Sequence, residues 1–224
     1  NYHRRQLHLP VIGITGTNGK TTTKELISTV LSRKFNTLYT EGNLNNHIGV
    51  PLTLLRLNPQ HEMAVVEMGA SHPGDIKELV DIAEPDYGII TNVGRAHLQG
   101  FGSFEGVIRT KGELYDFLRA KGGATIFIQN ENPYLNGIAE GLTCVRYGQT
   151  PGLYVSGELI SCSPFLSFRW TAGGISHEVA THLIGSYNLD NMLAAVAIGR
   201  YFGVPDEDIS DALASYLPHN NRSQ

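Results

Sequence analysis

The sequence is poor in cysteine, has little net charge and contains no long apolar run. Cys144 and Cys162 are too few for a disulfide framework and lack the paired spacing of a zinc site, which fits a reducing cytoplasm. A formal charge of −4, from 17 basic and 21 acidic side chains, announces no polyanion-binding face, so nucleic acid is not an expected partner. No apolar stretch approaches the roughly 20 residues that cross a bilayer, and no signal peptide opens the chain, so membrane insertion is not expected either. Internal repeats and low-complexity tracts are also missing. What remains is a 224-residue chain, 41% hydrophobic and 17% charged, long enough to bury a core as one large domain or two small ones. Asn1 in place of Met and the abrupt stop at Ser223-Gln224 read as the ends of an excised piece.

The stretch that organises the rest is Gly13-Ile14-Thr15-Gly16-Thr17-Asn18-Gly19-Lys20-Thr21-Thr22, which follows an apolar run and precedes a helical pattern. Glycines let the backbone turn tightly so that its N–H groups converge on an anion, and a helix starting near Thr21 points the positive end of its dipole at the same spot. In such a cradle Lys20 meets the outer phosphates and the Thr21 hydroxyl is offered to Mg2+. The general P-loop pattern wants a glycine where Ile14 stands, so the opening is shortened. A bare Gly-Lys-Thr is usually a surface turn; the strand-loop-helix context favours a nucleotide-phosphate site.

Strand-like runs at 11–15, 37–39, 63–68, 87–91, 124–128 and 143–147 alternate with helical patterns at 21–34, 51–57, 74–83 and 104–121. This rhythm predicts an α/β fold, a mainly parallel sheet flanked by helices on both faces, with ligands beyond the carboxyl ends of the strands. Runs at 153–159, 165–170 and 178–183, divided by Pro164 and Gly173-Gly174, predict a small antiparallel β appendage at about 153–183. A helix from Asn188 to about Phe202 and another capped by Asp206 complete the chain. The expected organisation is a linker or helix remnant at 1–8, a central domain at 9–217, and at 218–224 the start of a linker onward.

Glu67 ends an apolar strand, where a nucleotide-bound Mg2+ commonly finds a protein oxygen; a capping or exposed glutamate is the plainer alternative. His97 falls on the same loop side of the sheet, yet histidine is not the preferred ligand of a hard cation, and chemistry alone favours a structural or hydrogen-bonding role. Periodicity makes Lys111 a solvated helix lysine. The Asn-rich loop carrying Asn45 and Asn46 is as readily turn chemistry as a binding surface.

Gly16 to Thr22, Glu67-Met68-Gly69-Ala70, Asn92-Val93-Gly94-Arg95-Ala96-His97-Leu98, Lys111-Gly112-Glu113 and Gly185-Ser186-Tyr187-Asn188-Leu189-Asp190-Asn191, in this order, resemble the ATP-binding central domain of the Mur ligases. These are ATP-dependent amide-bond-forming enzymes of bacterial peptidoglycan synthesis. The runs from Gly42 to Pro51 and from His97 to Ser103 are most similar to family members that join D-alanyl-D-alanine to UDP-N-acetylmuramoyl-tripeptide.

The resemblance implies a P-loop NTPase-like fold, ATP and two Mg2+ ions as cofactors, a cytoplasmic bacterial setting and a monomer. It implies that Thr21 and Glu67 hold one Mg2+, and that His97 with a carbamylated Lys111 holds the second; carbamylation turns the lysine into a carboxylate-like oxygen ligand. Adenine falls to Asn188 and Asn191, with Tyr187 stacking where many members have histidine. Arg222 corresponds to an arginine near the next domain that approaches the nucleotide, and Asn45 and Asn46 face the muramoyl-peptide. The implied reaction runs through an acyl phosphate, and residues 1–224 alone are expected to show little ligation because the site closes by domain movement. The alternatives are another ligase of the superfamily, such as the one adding the third peptide residue or a folylpolyglutamate or cyanophycin synthetase, or a regulatory module that binds ATP without ligation.

Overall fold

The structure, a computed structural model, describes residues 1–122 and 124–219. A short helix α1 (Tyr2–Arg5) precedes β1 (Val11–Thr15), α2 (Lys20–Leu31) and β2 (Thr37–Tyr39). Then come α3 (Gly49–Leu55), β3 (Met63–Glu67), α4 (Asp75–Ala83) and β4 (Tyr87–Ile90). Three helices, α5 (Leu98–Phe101), α6 (Phe104–Lys111) and α7 (Glu113–Ala120), lead to β5 (Thr125–Gln129), α8 (Pro133–Gly137) and β6 (Thr143–Gly148). The chain ends with β7 (Val155–Cys162), β8 (Phe165–Ala172), β9 (Ile175–Ile184), α9 (Asn188–Tyr201) and α10 (Asp206–Ser215).

All nine strands form one sheet in the order β2-β3-β1-β4-β5-β6-β7-β8-β9. From β2 to β6 every pairing is parallel. β1 and β3 are buried along their whole length, as strands covered on both faces require. One core lies between the sheet and helices α2, α9 and α10, and includes Ile12, Leu26, Phe127, Met192 and Ile209. The other packs α4 and α7 against the opposite face through Val11, Val66, Leu79, Leu114 and Leu118. β1 sits between β3 and β4: the connection after β1 runs to β2 on one side of it, and the connection after β3 crosses to β4 on the other. The crevice at the carboxyl end of such a strand is the site the topology prepares.

Three features sharpen the sequence reading. The antiparallel segment expected on the central domain is there and joins its sheet: β7 pairs parallel with β6 at Tyr147↔Val155 and Gly148↔Ser156, and β8 and β9 extend the same sheet. The helix expected over 104–121 divides at Gly112, a weak helix former whose missing side chain leaves room for Ile138. Residues 2–5 form a docked helix, because the buried Arg4 donates to Ala83 O, Leu7 O and Glu84 O and pairs with Asp86 at 3.0 Å. No described helix is long and apolar enough to cross a membrane.

Candidate nucleotide and metal site

The loop between β1 and α2 holds its shape through two glycines and the segment after β4. Gly16 has φ +150°, and a Cβ there would lie 1.9 Å from Thr91 Oγ1. Gly19, at φ +74°, opens α2, with the Asn191 amide 3.0 Å from where its Cβ would stand. Thr17 N donates to Asn92 O and Asn18 N to Asn92 Oδ1, at 3.1 and 2.9 Å. Asn18 O in turn accepts from Thr91 Oγ1 and Asn92 Nδ2, at 2.7 and 3.0 Å, and Gly94 N donates to Thr17 Oγ1 at 2.8 Å. The loop is therefore fixed without help from a ligand. It leaves the first-turn N–H groups of Lys20, Thr21 and Thr22 without intrahelical acceptors, which is the donor array of an anion site.

Glu67 closes the buried strand β3 and is fully buried. Its Oε1 accepts from Thr21 Oγ1 at 2.9 Å and from Asn45 Nδ2 at 3.1 Å. Its Oε2 is buried with no hydrogen-bond partner, although Lys24 Nζ stands at ion-pair distance, 3.5 Å. A buried carboxylate that accepts from a hydroxyl at a phosphate loop offers the oxygen ligands that a hard cation wants. Among the described residues no three His, Cys, Asp or Glu side chains cluster as a metal cage.

Lys111 overturns the reading from periodicity. It is only 3% exposed, at the end of α6, where Val107 and Leu114 share its buried face. Desolvation by burial, then repulsion from Lys20, pushes its amine down to about 8, against a smaller attraction from Asp75. Its neutral form is therefore far more populated near neutral pH than that of an exposed lysine. The Phe101 ring lies 5.8 Å from its Nζ, and Glu113, two residues on, accepts from Gly74 N and Lys77 N at the start of α4. His97 is exposed in a left-handed conformation (φ 54°) at the N-terminus of α5, its ring edge-on to Phe101.

Lys20, His97, Asn45, Asn46, His72 and Asp75 line a cleft of about 490 Å3. An adjoining hollow of about 520 Å3 shares His72 and His97 and adds Arg95. Asn46 is committed at the loop end, where its Oδ1 accepts from Ile48 N and Gly49 N at the start of α3.

The two asparagines expected at adenine are buried and already bonded. Asn188 Nδ2 donates to Ile184 O, Asn191 Nδ2 donates to Asn188 Oδ1, and Asn191 Oδ1 accepts from Thr23. They tie α9 to α2 directly behind Gly19. Tyr187, at the N-terminus of α9, is 63% exposed and leaves a ring face open. Arg222 lies outside the described residues. Sequence reading missed Lys24; its signal was position, since Lys24 falls three and seven residues before Ile27 and Leu31 on the buried stripe of α2.

A family profile described as Mur ligase middle domain matches residues 14–199. The chain is 38% identical over 211 residues to a UDP-N-acetylmuramoyl-tripeptide--D-alanyl-D-alanine ligase of Bacillus subtilis (strain 168), covering 94% of this chain and 45% of the relative. The crystal structure of MurF from Acinetobacter baumannii superposes with a TM-score of 0.87 at 36% identity, covering 99% of this chain and 49% of that one. That of MurF ligase from Thermotoga maritima in complex with ADP superposes at 0.85 with 29% identity, covering 97% and 50%. The chain thus spans about half the length of the relatives it matches. The shared fold, the profile match and the identity together show that this chain belongs to the Mur ligase family, as its middle domain.

Proposed function

We propose that this domain binds and activates ATP in a cytoplasmic, ADP-forming peptide ligase that joins D-alanyl-D-alanine to UDP-N-acetylmuramoyl-tripeptide. The observation that carries the reading is a fixed phosphate loop whose Thr21 hydroxyl donates to the buried Glu67 carboxylate at 2.9 Å, with a buried lysine, Lys111, close enough to Lys20 to feel its charge. The names of the relatives supply the substrates.

The substrate carboxylate attacks the γ-phosphate of ATP, and the acyl phosphate formed is then displaced by the amine of D-alanyl-D-alanine with loss of phosphate. Phosphoryl transfer of this kind asks the protein for position and charge more than for covalent chemistry. Lys20 and the first-turn N–H groups of α2 hold the outer phosphates. Thr21 and Glu67 would hold one Mg2+, and His97 with Lys111, once carbamylated, would hold a second; such ions would supply positive charge to the transferring group. Lys111 as an amine is no magnesium ligand, and its lowered proton affinity favours the neutral form that takes up CO2. Tyr187 stacks on the base, while Asn188 and Asn191 shape the floor beneath it and keep spare lone pairs for its edge. Asn45 and Asn46 border the muramoyl-peptide end of the cleft.

The test is phosphate release by an enzyme of the relatives' full length carrying this domain, supplied with ATP, UDP-N-acetylmuramoyl-tripeptide and a choice of amines. Release that depends on D-alanyl-D-alanine supports the reading. Dependence on a different amine, or nucleotide binding with no amide product under any condition, contradicts it.

A further inference from the structure

Lys24 plays no part in the chemistry described so far, yet it is fully buried against the residues that do. It lies one helical turn beyond Lys20 on α2, and its Nζ stands between two acceptors. One is Glu67 Oε2 at 3.5 Å; the other is the carbonyl oxygen of Gly42, to which it donates at 3.0 Å. Gly42 belongs to the polar loop at 41–46 that also supplies Asn45. That loop buries little of its own: residues 41–44 are exposed, and a Cβ on Gly42 would touch nothing. Two side-chain ties join the loop to Glu67, Asn45 directly at Oε1 and Lys24 as a bridge from Oε2.

We propose that Lys24 is a positioning residue, which fixes the Glu67 carboxylate and the 41–46 loop to one another so that the metal side and the peptide side of the cleft are set together. The inference rests on the Mg2+ role of Glu67. An ammonium suits the place because its three hydrogens can serve a carboxylate and a carbonyl at once, on a stem long enough to reach from the helix. A methionine would fill the same volume and serve neither. Loss of the bridge leaves Glu67 held through Oε1 alone and frees the loop from its anchor at Gly42.

The experiment is calorimetric titration of the 224-residue chain with ADP, with and without Mg2+, in the parent and in Lys24→Met. Groups that orient a metal ligand typically govern affinity by about 10–100-fold, so the factor by which Mg2+ strengthens ADP binding should fall about tenfold or more in Lys24→Met. Lys24→Gln, which keeps donors but no charge, should lie between the two and serves where Lys24→Met does not fold. On the unaltered chain, hydrogen exchange at amides 43–46 should slow with Mg2+ and ADP together more than with ADP alone. An unchanged Mg2+ factor in a folded variant, or no Mg2+-dependent protection of 43–46 in the parent, overturns the role of Lys24. A parent in which Mg2+ does not affect ADP binding at all refutes instead the metal role of Glu67.

Discussion

Lys20 and Lys111 stand close enough for their charges to repel, and the chain treats them differently. Lys20 is half-buried and lines the cleft, whereas Lys111 is buried. A cation held in a poorly solvated place costs stability, and the cost depends on pH. The unfolded chain keeps the Lys111 proton up to about 10.5 and the folded chain releases it near 8, so between those values the unfolded state binds more protons and stability rises with pH. Lys111→Met should therefore unfold at higher urea than the parent at pH 7 in CO2-free buffer, by on the order of 2 kcal/mol, with the gap narrowing towards pH 10. A variant less stable than the parent at pH 7 would show that Lys111 has a compensating partner. In catalysis the same residue has the opposite value: Lys111→Ala in a full-length enzyme should lose activity and regain part of it with added short carboxylic acids. Equal inactivity with every acid, in a folded protein, counts against the carbamate.

At the scale of elements, the phosphate loop is held by the turn after β4 and by the front of α9, so its shape should respond to changes in either. Gly16→Ala places a methyl group against Thr91 in a conformation that L-residues rarely adopt. It should cost about 1–3 kcal/mol and weaken nucleotide binding together with stability, as chemical denaturation and titration on one sample would reveal. Asn191→Ala strands the Thr23 hydroxyl and the Asn188 carbonyl oxygen, and should cost about 1–3 kcal/mol while α9 remains helical. A neutral result for Asn191→Ala would mean that the α2–α9 contact rests on packing alone. The elements themselves were largely legible: 11–15, 37–39, 63–68 and 87–91 stand out because buried parallel strands are short apolar runs between turns. Lys24 and Lys111 were harder, since a buried lysine on an amphipathic helix looks like a lapse in the apolar stripe until the partners that share its burial are known. Resemblance corrected the reading of Lys111; nothing comparable pointed to Lys24.

For the whole molecule, the antiparallel segment, expected as an appendage within the central domain, continues the main sheet. Its strands alternate in the way of a half-covered sheet, and no local pattern records that β7 pairs with β6. The single tryptophan, Trp170 on β8, is fully buried in the core shared with α2, α9 and α10. Tryptophan fluorescence and far-ultraviolet circular dichroism should therefore report one coincident urea transition. An earlier transition in fluorescence would mark the segment as an independent unit.

The account turns on the loop from Gly16 to Thr22 being a working phosphate site. The most direct measurement is titration of the 224-residue chain with ATP in the presence of Mg2+, compared with Lys20→Ala. One bound nucleotide is expected in the parent, with a loss of about 100-fold or more in affinity in a variant of unchanged melting temperature, since Lys20 is the charged side chain that the loop brings to the phosphates. Equal ATP affinity in the two proteins would contradict it.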